Sequence, residues 1–292
     1  MKYITFNSFL LIFSLCIMNS SFIKPQEIEK KFKSVEVPFS EIREVKSNIT
    51  GKQYELLVGL PYSYYKNITK KYPVVYFCDG FYDFPLLSMI YGEQIYDKTI
   101  NECILVGFSY KGKNLDYGKL RAYDYTPTKD PTNPIQVGGG AKDFLDVVEK
   151  EFIPFVQANY RVDTSFRALG GSSLGGLFTL YSLFSKPYLF SAYIAISPAV
   201  NWDNSWLVNF ENNFSKKDSS LPVSLYMTGA EHDIPDMPDF LTSIKDFAQT
   251  LKSRNYKDFR FHFRLLDGLY HSGSKPEGYS RGIKFIFEPL LK

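Results

Sequence analysis

Runs of apolar residues with no polar interruption constrain this chain more than any other feature. Residues 74–78 (VVYFC) and 104–108 (ILVGF) are the clearest. A strand with one solvated face alternates apolar and polar residues, so an unbroken run belongs to a strand buried on both faces, the usual state in a parallel sheet. Residues 86–96 lie between the two runs with helical spacing. The alternation continues along the chain. Residues 140–159 are amphipathic, with Phe144, Val147, Val148 and Phe152 on one helical face. A strand is expected around 167–169, a helix over 174–184, and strands over 193–196 and 223–228. A helix over 240–253 and a last strand over 259–266 complete the series. Strand and helix in turn predict one α/β domain around a mostly parallel sheet. Ahead of it, residues 35–39, 43–47 and 54–60 read as strands. The last two flank Asn48-Ile49-Thr50-Gly51, a turn signal that predicts an antiparallel hairpin at a sheet edge. Residues 110–139 show little periodicity and several Pro and Gly, as in a functional or mobile loop.

A chain of 292 residues is long enough for such a core. Its net charge of +3 is not gathered into a basic block. Lys30, Lys31 and Lys33 read as a solvated segment, so a nucleic-acid groove is not expected. Aromatic residues make up 17%, which predicts an aromatic core with a Tyr-rich surface, or a pocket for aryl or carbohydrate groups. The N-terminus has the organisation of an export signal: Lys2, then a largely apolar ten-residue run at 9–18, then Asn19, Ser20 and Ser21. Ten residues are too few to span a bilayer, which takes roughly 20. The expected division is a signal at 1–21, a linker at 22–34 and an α/β domain at 35–292, with the product periplasmic or extracellular and without a membrane span. An uncleaved N-terminal anchor is the other reading, and Cys16 raises a lipidated one. Cys78 and Cys103 are read as buried thiols or as one disulfide.

Within Gly170-Gly-Ser-Ser-Leu-Gly-Gly176 lies G-x-S-x-G, formed by Gly171, Ser173 and Gly175. A serine on a sharp strand-to-helix turn needs small residues two positions away on either side, and its hydroxyl then stands exposed at the strand's carboxyl end. Ser173 is therefore the candidate nucleophile. The N–H of Leu174 is a candidate oxyanion donor, aided by the positive end of the following helix. Ser172 lacks the flanking glycine pattern.

A serine nucleophile needs a base, and a base needs an orienting acid. His271 follows the last predicted strand, where the base belongs in the chain order serine, acid, histidine. His262 falls within that strand, and His232 in the preceding loop. The acid is expected after residue 228, in Gly229-Ala-Glu-His-Asp-Ile-Pro-Asp236. Glu231 and Asp233 are both candidates. Glu231 is favoured because it lies nearer the strand end and has the longer reach; the other would cap the loop.

Together these segments resemble the putative esterase family of α/β-hydrolases, in particular its siderophore-esterase-like branch. The resemblance rests on residues 53–61 (QYELLVGLP), 72–80 (YPVVYFCDG), 121–127 (RAYDYTP), 138–163, the Ser173 turn and residues 267–272. It implies the α/β-hydrolase fold and a second oxyanion N–H from Phe81 in the Asp79-Gly80-Phe81 turn. It also implies that Arg121 borders the pocket, either binding an anionic part of the substrate or held in a structural ion pair. Some members resemble a serine–histidine dyad without a firm acid. The function expected is a serine ester hydrolase working through an acyl-enzyme on a siderophore lactone or a carbohydrate or aryl ester, with no metal and no cofactor. An acyltransferase using the same site, or a binding protein on a hydrolase scaffold, are the alternatives.

Overall fold

The computed structural model describes residues 34–132 and 136–291. The expected signal and linker, apart from Ser34, lie outside the described residues. Residues 37–292 form one compact unit. Its sheet has eight strands: β1 (Ser40–Lys46), β2 (Gln53–Gly59), β3 (Tyr72–Phe77), β4 (Ile104–Tyr110), β5 (Val162–Ser172), β6 (Ala192–Ile196), β7 (Ser224–His232) and β8 (Arg260–Tyr270). Their order is β1-β2-β4-β3-β5-β6-β7-β8. The pairs β1–β2 and β2–β4 are antiparallel, and every pair from β4 to β8 is parallel. The N-terminal hairpin forms one edge, as its turn predicts.

The unbroken runs behave as strands covered on both faces. In β3, Val74 and Tyr76 enter one core with Ile104, Val106 and Phe108 of β4. Val75 and Phe77 enter the opposite core with Leu105. The second core is closed by helices α1 (Gly80–Tyr96) and α8 (Ser274–Phe287). Helices α2 (Tyr117–Tyr125), α3 (Ala141–Val147), α4 (Ile153–Asn159), α5 (Leu174–Ser185), α6 (Trp202–Ser215) and α7 (Pro238–Arg254) supply buried side chains to the first core. A π-helical turn, Val148–Phe152, joins α3 to α4. It sits just ahead of Pro154, whose missing N–H and ring bulk do not fit a regular turn. Phe144 lies at the centre of an aromatic cluster with ring centroids 5.2–6.1 Å from those of Tyr54, Phe108, Tyr125, Phe152 and Phe178.

Two expectations are corrected, and of the two readings of the cysteines the buried thiols are found. Residues 35–39 form no strand; they run irregularly into a turn ahead of β1. The segment 110–139 carries α2, capped by the Asp116 carboxylate, which accepts from the Lys119 N–H at 3.0 Å. Cys78 and Cys103 are both buried and free, so no disulfide joins them. Cys78 follows the carboxyl end of β3 and Cys103 precedes the amino end of β4, and these strands are parallel with Val74 opposite Ile104. The two cysteines therefore lie at opposite ends of the sheet, roughly 16 Å apart at about 3.3 Å per residue, well beyond bridging distance.

Candidate active site

The carboxyl ends of the parallel strands gather the candidate groups. Ser173 stands between β5 and α5 with φ 58° and ψ −120°, a backbone conformation rarely adopted by a residue with a Cβ. Hydrogen bonds hold it there: its N–H donates to Ile196 O (3.0 Å), and its carbonyl accepts from the N–H groups of Leu177 (2.9 Å) and Ala199 (3.0 Å). The reason for glycine two positions earlier is steric. A Cβ on Gly171 would fall 2.2 Å from the carbonyl oxygen of Gly175, inside the turn itself. Leu174 is the first residue of α5, so its N–H has no acceptor within the helix. Ser172 is buried, its hydroxyl turned away from solvent with no partner.

His271 follows β8 directly. Its Nδ1 lies 2.5 Å from Asp233 Oδ1. Its backbone N–H donates to the carbonyl of Asp233 (3.0 Å), and its own carbonyl accepts from the Ser274 hydroxyl (2.6 Å). The second carboxylate oxygen of Asp233 accepts from the Ala230 N–H at 3.0 Å, and the side chain is fully buried. Phe240 meets the imidazole edge-on, with centroids 5.2 Å apart. The expectation that Glu231 partners His271 is therefore wrong. Glu231 is still part of β7, at an irregularity in the β7–β8 register between Ala230 and His232. Its half-exposed carboxylate accepts from the Gly268 N–H at 2.7 Å. Asp233 stands one residue past the strand, where the chain turns back and brings the shorter side chain against both Ala230 and His271. Glu231 thus has the loop-capping part foreseen for whichever acid did not pair with the histidine. His232 is half exposed, beside Tyr270. His262 lies in β8, stacked on Tyr226.

On the other side of β5, β3 is followed by Cys78 and Asp79. Asp79 is left-handed (φ 59°, ψ 37°), and α1 begins at the next residue. Phe81 is the second residue of that helix, and the first-turn N–H groups have no acceptor within it. Its exposed ring stacks on Tyr117 with centroids 4.1 Å apart. Arg121 borders the cleft, and of its two expected roles the structure shows the ion pair. Nε and Nη2 donate to the two oxygens of Asp79 at 2.7 and 2.8 Å. Burial works to lower the Arg121 pKa, but the adjacent carboxylate of Asp79 outweighs it and holds the guanidinium above its ordinary value.

Ser173 and Leu174 open onto a cleft of about 470 Å³ that Arg121, Asn201, Trp202, Ile234, Asp239 and Phe240 also line. Phe240 thus touches both the Ser173 cleft and His271. One wall escapes sequence reasoning altogether. The first turn of α6 carries three successive left-handed residues, Asp203, Asn204 and Ser205, and two of them line the cleft. A smaller, more apolar hollow of about 240 Å³ lies elsewhere, beneath Val37, Tyr62 and Met89, away from these groups. Among the described residues no His, Cys, Asp and Glu cluster has the arrangement of a metal site.

A mostly parallel sheet with a strained serine after β5 and a buried aspartate–histidine pair after β7 and β8 defines an α/β-hydrolase. The chain belongs to the family described as Putative esterase, which matches residues 47–241. It is similar to the ferri-bacillibactin esterase of Bacillus subtilis, 23% identical over 87% of this chain and 91% of that protein. It is also similar to the siderophore triacetylfusarinine C esterase of Aspergillus fumigatus, 42% identical over 35% of this chain and 34% of that one. Among solved structures, an IroE-like serine hydrolase from Shewanella oneidensis superposes with a TM-score of 0.77 at 25% identity, covering 85% of this chain and 80% of the other.

Proposed function

We propose that this protein hydrolyses a carboxylic ester through an acyl-enzyme on Ser173, and that its substrate is a siderophore ester. The observation that carries the chemistry is the 2.5 Å contact between His271 Nδ1 and the buried Asp233 carboxylate. A carboxylate there favours the tautomer with its proton on Nδ1, which leaves Nε2 as the base. Nε2 takes the Ser173 proton as Oγ adds to the ester carbonyl. The N–H groups of Leu174 and Phe81 receive the developing oxyanion, and imidazolium then returns the proton to the departing alcohol. Water repeats the sequence in deacylation. The siderophore assignment is supported by the similarity to the ferri-bacillibactin and triacetylfusarinine C esterases.

The test is hydrolysis by the purified protein of a siderophore trilactone, a feruloylated sugar, an acetylated sugar and a short p-nitrophenyl ester. The trilactone is expected to give the highest kcat/KM. Ser173→Ala is expected to lower kcat on every substrate by at least about 10³-fold and to abolish fluorophosphonate labelling, with the melting temperature little changed. Retention of more than about a tenth of the rate would refute Ser173 as nucleophile. We further propose that residues 1–21 direct export, on the strength of Lys2 and the apolar run that follows. Mass spectrometry of the mature protein from its native host is expected to show cleavage near residues 19–24.

A further inference from the structure

We infer that Arg121 and Tyr125 are positioning residues for the oxyanion donors, acting through Asp79, and that Arg121 is not a receptor for substrate anions. The inference rests on the reading of Ser173 as nucleophile and of the Phe81 N–H as an oxyanion donor. Asp79 has a left-handed backbone, which a residue bearing a Cβ disfavours, so contacts must hold it there. Two of those contacts come from one helix. Arg121 grips both carboxylate oxygens of Asp79, at 2.7 and 2.8 Å. Tyr125, one turn further along α2, accepts the Asp79 N–H on its hydroxyl at 3.0 Å. Residues four apart lie on the same helical face, so α2 presents the two groups together. The carbonyl of Asp79 then accepts from the N–H groups of Tyr82 and Asp83, both at 2.9 Å, and so launches α1. The N–H groups of Gly80 and Phe81, in the first turn and so without an acceptor within the helix, sit between the gripped residue and the anchored turn. Their direction is therefore set by the conformation of Asp79.

The same carboxylate touches the nucleophile's turn. A Cβ on Gly175 would stand 3.2 Å from Asp79 Oδ2 and 2.8 Å from Cys78 Cβ, so the two oxyanion segments are packed on each other. The ion pair is largely buried, with Asp79 and Arg121 side chains 5% and 19% exposed. A guanidinium whose Nε and Nη2 face a buried carboxylate in a fork has its charge neutralised and its orientation fixed. A substrate anion would meet a cation whose charge Asp79 already answers, with only the donors outside the fork left to it.

The experiment measures kcat and KM of the full chain and of Arg121→Met, Arg121→Lys and Tyr125→Phe on two p-nitrophenyl esters of equal size, one neutral and one with a carboxylate in its acyl group. Removing one oxyanion donor lowers kcat by about 10²–10³, and misdirecting one should do less. Arg121→Met is expected to lower kcat about 10–100-fold on both esters, with KM within about twofold. Arg121→Lys, which supplies charge without the fork, is expected to recover part of that loss. Phosphonylation of Ser173 by a fluorophosphonate should slow in parallel, because the phosphonyl oxygen uses the same donors. If Arg121→Met does not fold, Tyr125→Phe decides, since it deletes a single oxygen; its kcat is expected to fall severalfold with KM kept. A rise in KM confined to the anionic ester with kcat preserved would overturn the inference and make Arg121 a substrate receptor. Unchanged kcat in every folded variant would overturn it as well. Failure of the underlying reading looks different: the wild-type protein would then hydrolyse neither ester and Ser173 would take no label.

Discussion

At the scale of single residues, the division of labour between Asp233 and Glu231 is the sharpest feature of the site. The two carboxylates stand two residues apart at the end of β7, and only one reaches the imidazole. Asp233→Asn is expected to lower kcat by up to about 10⁴-fold, because the amide favours the wrong imidazole tautomer. Glu231→Gln keeps an oxygen that can accept from Gly268 and should leave kcat within about threefold, with a small loss of stability. Steady-state kinetics on one ester, with urea denaturation alongside, checks both. Equal effects in the two variants would dissolve the distinction. Asp83 adds a pH signature of its own. Burial raises its pKa, although Lys275 stands 2.8 Å away. A carboxyl group raised in the folded state stabilises fully below its ordinary value of 3.8 and loses that contribution as pH rises through the folded value. The stability of wild type relative to Asp83→Asn should therefore decline as pH climbs from about 3.5 towards neutrality, as denaturation at several pH values would show.

At the scale of elements, legibility followed burial. The runs in β3 and β4 could be read because both strand faces enter apolar cores. The amphipathic stretch at 140–159 could be read because Phe144, Val147, Val148 and Phe152 share a core face, although its π-helical turn could not. Helix α2 was not visible because it buries a carboxylate. Asp124 is fully covered and answered by Lys52 at 2.5 Å and Tyr54 at 3.2 Å, a partnership formed by residues about 70 positions away. Helix α8 was hidden by Gly278 and Gly282, which lower helix propensity. They are there because a Cβ would come within 2.8 Å of Ile196 or 2.7 Å of Ile194. Of the site, the serine turn and the histidine were legible as local patterns. The choice of acid was not, since it depends on a register irregularity at the end of β7. The aromatic cluster gives a test at this scale. Phe144→Ala removes the ring on which five others converge and should cost about 3–5 kcal/mol, read as a shift of the urea midpoint at unchanged slope. A loss under about 1 kcal/mol would mean that the cluster repacks.

At the scale of the whole molecule, the cleft's charge decides which esters it favours. The sheet brings Ser173, His271 and the Asp79–Gly80 turn to one end, and α2, α6 and α7 wall the space above them. Arg121 is a cation among the described lining residues, and its charge is answered by Asp79. Asp239, in the first turn of α7, contributes a carboxylate that accepts from Asn201 Nδ2 at 3.2 Å, an uncharged partner. An ester with an anionic acyl group should meet repulsion from Asp239 and Asp130, and an Arg121 whose charge Asp79 already answers. Two like charges about 4 Å apart in a wet cleft repel by about 1 kcal/mol, or roughly fivefold in binding. KM for an anionic p-nitrophenyl ester should therefore exceed that for a neutral one of equal size by about that factor at low salt. Added salt should shrink the gap, because exposed charges are screened within about 10 Å at 0.1 M. Asp239→Asn should narrow the gap between the two KM values, with Asp130 still lining the cleft, and change kcat little, since the Asp239 carboxylate is held by Asn201. A lower KM for the anionic ester in the wild-type protein would reverse the argument and require a cation that neither Asp79 nor Asp239 offsets.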